Sequence, residues 1–139
     1  MRIVKRILVF VIIAVVGFVT LLALGIRGNH LPLSDPPGWF VRLNVYLNTH
    51  VAETIDGSPF PELRPRSYAL PADALFDKVK EAIAQLPRWE IVESKAEARE
   101  VHAVVTSALF RFKDDVTIQV EPQPGGRPAV LVHAVSRVG

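Results

Sequence analysis

The feature that most constrains this chain is an uncharged apolar run over residues 7–26, interrupted only by Gly17, Thr20 and Gly25. Wound as a helix, about 20 residues reach roughly 30 Å, the thickness of a bilayer's hydrocarbon core. A core helix of a soluble protein seldom runs this long without a polar face. The run predicts a transmembrane helix, and it raises the mean hydropathy to +0.28 in a chain that is 50% hydrophobic. A secretory signal also starts basic, but its apolar stretch is about 7–15 residues and a small-residue cleavage site follows it. Here the stretch is longer, and the cleavage-like Ala23-Leu24-Gly25 lies inside it. The length favours an uncleaved anchor. Arg2, Lys5 and Arg6 precede the run and Arg27 follows it. The positive-inside rule then places the N-terminus in the cytoplasm and the body beyond the inner (cytoplasmic) membrane, in the periplasm of a Gram-negative source.

A chain of 139 residues holds one domain besides such an anchor. The expected organisation is an anchor at 1–27, a linker at 28–59 and a small domain at 60–139. Residues 28–38 are rich in proline and glycine and leave the membrane as a linker or stiff turn. Residues 39–54 read as an amphipathic helix with Trp39, Leu43, Tyr46, Leu47, His50 and Val51 on one face. Its aromatic content suits the lipid headgroup level, with Trp39, Phe40 and Tyr46 as membrane-interface residues. The same face would equally serve to pack on the body or on a partner.

In the body, a short strand over 66–70 precedes a helix over 71–86, with an apolar stripe of Leu75, Phe76, Val79, Ala82, Ile83 and Leu86. Pro71 opens that helix and Pro87 closes it. Strands follow at 89–93, 100–112, 116–121 and 129–138. Val116, Ile118 and Val120 alternate inward, and Gly125-Gly126 marks a hairpin. The expected fold class is α+β: an antiparallel sheet of four to five strands with one helix on one face. A core of about 80 residues stabilises only a few kcal/mol, so packing against the anchor or a partner would matter.

There is no cysteine, which excludes disulfides, thiolate nucleophiles, zinc–thiolate sites and iron–sulfur clusters. The net charge is +2, and three of the sixteen basic residues precede the apolar run. The remainder is nearly balanced, so no nucleic-acid footprint is read. His30, His50, His102 and His133 show no metal-ligand spacing, although His102 and His133 sit on strands and could be neighbours. No metal and no cofactor are expected.

The remaining candidate chemistry is a cluster of Arg64, Arg66, Lys113, Asp114, Asp115 and Arg137. Paired aspartates could act as acid and base or hold a cation, but neighbours in an extended segment point to opposite faces, and a turn alone explains adjacent aspartates. The arginines would either clamp an aspartate or form an anionic-ligand pocket. A hairpin centred near Gly125 sets residues near 114 opposite residues near 137. Arg137 then reaches an aspartate, and a partly buried pair there would lock the register of the sheet.

The stretch from Phe60 onward resembles the bacterial and plastid domain of unknown function 1499 family. The resemblance rests on Phe60-Pro61-Glu62-Leu63-Arg64-Pro65-Arg66, Trp89-Glu90-Ile91-Val92, Leu109-Phe110-Arg111-Phe112-Lys113-Asp114-Asp115-Val116 and Ser136-Arg137-Val138-Gly139. It implies a fold and frequent membrane anchoring or secretion, and no reaction. Members usually continue past the Ser-Arg-Val-Gly segment into an Asp- and Asn-containing stretch and a C-terminal helix; if that helix covers the sheet, the resemblance implies an apolar face here that a partner protein or lipid could cover. The function expected is a membrane-anchored, non-catalytic accessory or binding module, attached to the bilayer and to a larger membrane complex such as a respiratory or photosynthetic one. The competing expectation is an enzyme or anionic-ligand domain built on the Arg/Asp cluster.

Overall fold

The computed structural model describes residues 2–28 and 30–138, which fall into two units. Asn29 of the linker and Gly139 of the Ser-Arg-Val-Gly segment lie outside the described residues.

The first unit joins the N-terminal helix, up to Pro32, to a short segment at 108–110. Helix α1 spans Arg2–Gly28. Its Lys5–Gly28 portion is long and apolar enough to cross a membrane, and the most apolar window is 0% buried. A core helix of a soluble protein would be mostly buried, whereas a signal sequence satisfies the same length and composition. The Thr20 hydroxyl donates to the Val16 carbonyl at 2.8 Å, which satisfies it within the helix, as an apolar solvent requires. The helix ends where His30 takes a positive φ of 53° and the Ile26 carbonyl accepts the Leu31 N–H.

The second unit is an α+β domain. In chain order it contains α2 (Trp39–Asn48), β1 (Val51–Glu53), a 3₁₀ turn (Pro61–Leu63), β2 (Arg66–Ser67), α3 (Ala72–Gln85), β3 (Trp89–Lys95), β4 (Glu100–Thr106), β5 (Lys113–Glu121) and β6 (Ala129–Ser136). All pairings are antiparallel, in the order β1-β6-β5-β4-β3, and β2 also pairs with β6. β1 and β2 share one edge of β6: Val51–Glu53 lie opposite His133–Val135, and Arg66 and Ser67 opposite Val130 and Ala129.

Helix α3 covers one face. Its Leu75, Phe76 and Ile83 are buried against Val101 and Ala103 of β4 and Val116, Ile118 and Val120 of β5. Burial of each large aliphatic or aromatic side chain contributes about 1.5–3 kcal/mol. The inward alternation of Val116, Ile118 and Val120 is the one expected. Leu86, placed on the apolar stripe of α3, is instead 44% exposed, because the helix stops at Gln85 and Leu86 turns extended. The β5–β6 hairpin turns at Gly125 and Gly126, whose φ values of 100° and 81° favour glycine.

Two expectations are corrected by the sheet. The helix expected over 39–54 stops at Asn48, and 51–53 form a strand. Asn44, Asn48 and Thr49 are weak helix formers, while the open edge of β6 offers Val51–Glu53 a full set of backbone partners. Thr54 extends the pairing, with its N–H and its hydroxyl both donating to the Val132 carbonyl. The folded domain therefore begins well before residue 60. The long strand expected over 100–112 breaks at Thr106. Strand β5 begins instead at Lys113, so both aspartates lie inside a strand and not in a turn.

Candidate functional site

Among the described residues, the buried charged side chain is Arg42, which is not part of the apolar face expected for α2. Its side chain is 0% exposed. The guanidinium makes a two-pronged ion pair with Glu62, through Nη1 to Oε1 and through Nη2 to Oε2 at 3.0 Å. Its Nε donates to the Asp35 carbonyl at 2.9 Å and its Nη2 to the Pro36 carbonyl. Nη1 also donates to the Tyr46 hydroxyl at 3.1 Å, and the group lies 5.2 Å from the centre of the Phe60 ring. Every edge of the fork is occupied, as a buried guanidinium requires. The Arg42 bond holds the Glu62 carboxyl below the ordinary glutamate value. Arg42 thereby ties together the linker, helix α2 and the 3₁₀ turn.

The inward side of α2 takes in only part of the expected apolar face, with Leu43 and Tyr46 half-buried beside Arg42. Arg42 points in, while Trp39 and Phe40 are 63% and 66% exposed and meet edge to face at 5.8 Å. Tyr46, expected at a membrane interface beside them, is half-buried and bonded to Arg42.

The structure distributes the Arg/Asp cluster. Asp115 and Arg137 form a bidentate pair, Nε to Oδ2 at 2.8 Å and Nη2 to Oδ1 at 2.7 Å. The register is the expected one, with Asp114 opposite Ser136 and the Arg137 N–H donating to the Lys113 carbonyl. The expected burial is not found. The two side chains are 55% and 49% exposed, because the pair sits at the end of strands where water reaches both partners. The Arg137 bond holds the Asp115 carboxyl below its ordinary value. Asp114 projects to the opposite face from Asp115, since side chains alternate along β5. Arg64 donates to the Ser58 carbonyl at 2.7 Å and braces the 55–64 loop. Arg66 is an exposed residue of β2, and Lys113 opens β5. Of the six, the structure joins Asp115 and Arg137 and turns Arg64 to a separate task.

The sheet face away from α3 carries a polar row that runs across the strands: Glu93, His102, Thr117, His133 and Glu53, in register. His102 and His133 are thus two strands apart, with Thr117 between them. His102 Nε2 lies 2.7 Å from Glu100 Oε1, and its Nδ1 lies 3.1 Å from the Thr117 hydroxyl. Both ring nitrogens therefore have a hydrogen-bond partner. The His102 bond, with Lys95 adding to it, holds Glu100 below its ordinary value. Among the described residues, no group of three or more His, Asp or Glu side chains is arranged to hold a metal ion.

Comparison with known proteins bears on all of these elements together. A family model described as Protein of unknown function (DUF1499) matches residues 42–139, which is well over half of the chain. The chain belongs to the DUF1499 family. The DUF1499 match begins at Arg42 and so takes in the Arg42–Glu62 cluster, β1 and every other strand of the sheet. It reaches farther toward the N-terminus than the resemblance read from Phe60 onward. No curated protein and no solved structure matches the chain.

Proposed function

We propose that this DUF1499 protein is a membrane-anchored, non-catalytic binding module, an accessory subunit held at the periphery of a larger membrane protein complex. Helix α1 is its tether in the inner membrane, with the N-terminus in the cytoplasm and the domain outside it. A respiratory or photosynthetic assembly is the setting we favour. The observation that carries the reading is how the charged groups are spent. Arg42 is closed on Glu62, Arg137 on Asp115 and Arg64 on a backbone carbonyl. An anionic-ligand or acid–base site on the Arg/Asp cluster would need these groups convergent and open, with both aspartates on one face. What the domain offers instead is surface: the sheet face opposite α3, with its polar row, and the exposed Trp39–Phe40 pair.

The test is extraction from native membranes in mild detergent, followed by native sizing and identification of co-migrating proteins. A discrete assembly larger than the chain in its micelle is expected. A lone monomer under every mild condition would remove the accessory-subunit reading.

A further inference from the structure

We propose that the tip of the β4–β5 loop, residues 108–110, is a second membrane contact that sits in the lipid interface beside the end of α1; this rests on α1 being a membrane anchor. The loop is closed at its base. The Ser107 N–H donates to the Phe112 carbonyl at 2.8 Å, and the Phe112 N–H donates to the Ser107 hydroxyl oxygen at 2.9 Å. Arg111 completes the turn with a φ of 58°. This bracket holds the intervening residues out as a defined tip, and the tip is apolar. Leu109 and Phe110 are 40% and 47% exposed, and Phe112 follows at 45%. Adjacent large apolar side chains on a projecting turn mark an interaction site, where scattered ones would need no explanation. Arg111 and Lys113 flank them, and cations on long apolar stems suit the headgroup level of an anionic membrane.

The depth of the tip follows from the first unit alone. A methyl group built on Gly25 would lie 3.2 Å from Phe110 Cε2, and one on Gly28 would lie 3.6 Å from Ala108 Cβ. Gly25 thus lets the ring of Phe110 approach the helix closely, whereas a methyl on Gly28 would make only an ordinary contact with Ala108. Both glycines lie at the C-terminal end of the Lys5–Gly28 portion, where the apolar run gives way to Arg27. If that portion spans the hydrocarbon core, residues 108–110 lie at its boundary, where Leu and Phe side chains can enter the acyl edge and phospholipid is the surrounding medium. Lipid, and not a protein partner, is therefore the occupant.

The chain contains no cysteine, so a single introduced one can be labelled alone. Full-length protein carrying Val16→Cys, Leu109→Cys or Gln123→Cys would be spin-labelled and reconstituted in vesicles of zwitterionic and anionic phospholipid. Collision with lipid-soluble oxygen would be compared with collision with an aqueous nickel chelate. Gln123 lies in the β5–β6 hairpin, just beyond the end of β5 and in a polar, proline- and glycine-rich turn. Oxygen should dominate at 16 and 109 and the nickel chelate at 123. A label at 109 that is aqueous, or shielded from both reagents, while 16 is lipid-exposed overturns the lipid contact and leaves the anchor standing. An aqueous label at 16 overturns the anchor and the proposal with it. As a second measurement, Leu109→Trp should add fluorescence that brominated lipid quenches above the background of Trp39 and Trp89; absence of that added quenching counts against the contact.

Discussion

Two arginine–carboxylate pairs in this domain share their chemistry and differ in their surroundings. Arg42 and Glu62 meet in a pocket closed by two backbone carbonyls, a tyrosine hydroxyl and a phenylalanine ring, and the arginine is wholly buried. Arg137 and Asp115 meet with equally good two-pronged geometry at the end of the sheet, and both are about half exposed. In water the hydrated, separated ions compete with the contact, so geometry contributes little to stability. In the interior, separation would leave the guanidinium without its counter-charge and out of reach of water, with only neutral hydrogen-bond partners. Burial, and not the bond list, decides which pair the fold depends on.

The largest effect is expected from Glu62→Ala. It strands a buried guanidinium and should cost about 3–5 kcal/mol, measured by denaturant titration of the detergent-solubilised chain. Arg42→Met should cost somewhat less, about 3 kcal/mol, because the Glu62 side chain left behind is 41% exposed and can be hydrated. The reverse order would mean that the pocket is wetter than the geometry implies.

Acid should separate the pairs next. The folded-state pKa of Glu62 is depressed, so the unfolded chain binds more protons at low pH. Its stabilisation is complete above the ordinary glutamate value near 4.5 and is lost as pH falls below it. Asp115 and Glu100 are shifted in the same direction. Glu62→Gln should therefore flatten, without abolishing, the acid limb of stability against pH. An unchanged limb would show that the Glu62 carboxyl is not held by Arg42.

A double-mutant cycle on Asp115→Ala and Arg137→Ala should give a small coupling that fades in high salt, whereas the coupling between Arg42 and Glu62 should persist. Equal, salt-insensitive couplings would dissolve the distinction. The smallest effect is expected at Trp39. Since it is 63% exposed, Trp39→Ala should change the stability of the solubilised chain by no more than about 0.5 kcal/mol. A larger loss would mean that the ring packs on the body.

Much of the scaffold was legible because it is local. Strict alternation marked Val116, Ile118 and Val120 as core, and the three-and-four spacing marked Leu75, Phe76 and Ile83. Gly125-Gly126 marked the hairpin, and that hairpin set the register that brings Arg137 to Asp115. The break after Thr106 was hidden, because 107–112 continues an apolar pattern and turns through Arg111 without a glycine. Arg88 and Arg99 turn at positive φ in the same way, with no residue signal to announce it. The Arg42 cluster was illegible for a different reason. Periodicity assigns a charged residue to the outside of a helix, and only a partner 20 residues away can reverse that assignment.

The sequence by itself determined the apolar N-terminal helix, the helix-on-sheet class and the pairing of β5 with β6, because chain length, hydrophobic period and turn chemistry act between near neighbours. The tertiary structure decided what burial decides. It turned Val51–Glu53 from helix to strand by offering an open sheet edge, and it sent Asp114 and Asp115 to opposite faces of β5. It also buried the arginine of the Arg42–Glu62 pair and left both partners of the Asp115–Arg137 pair half exposed. The worth of a charge depends on the dielectric around it, and that is a property of the assembled neighbourhood, not of the residue.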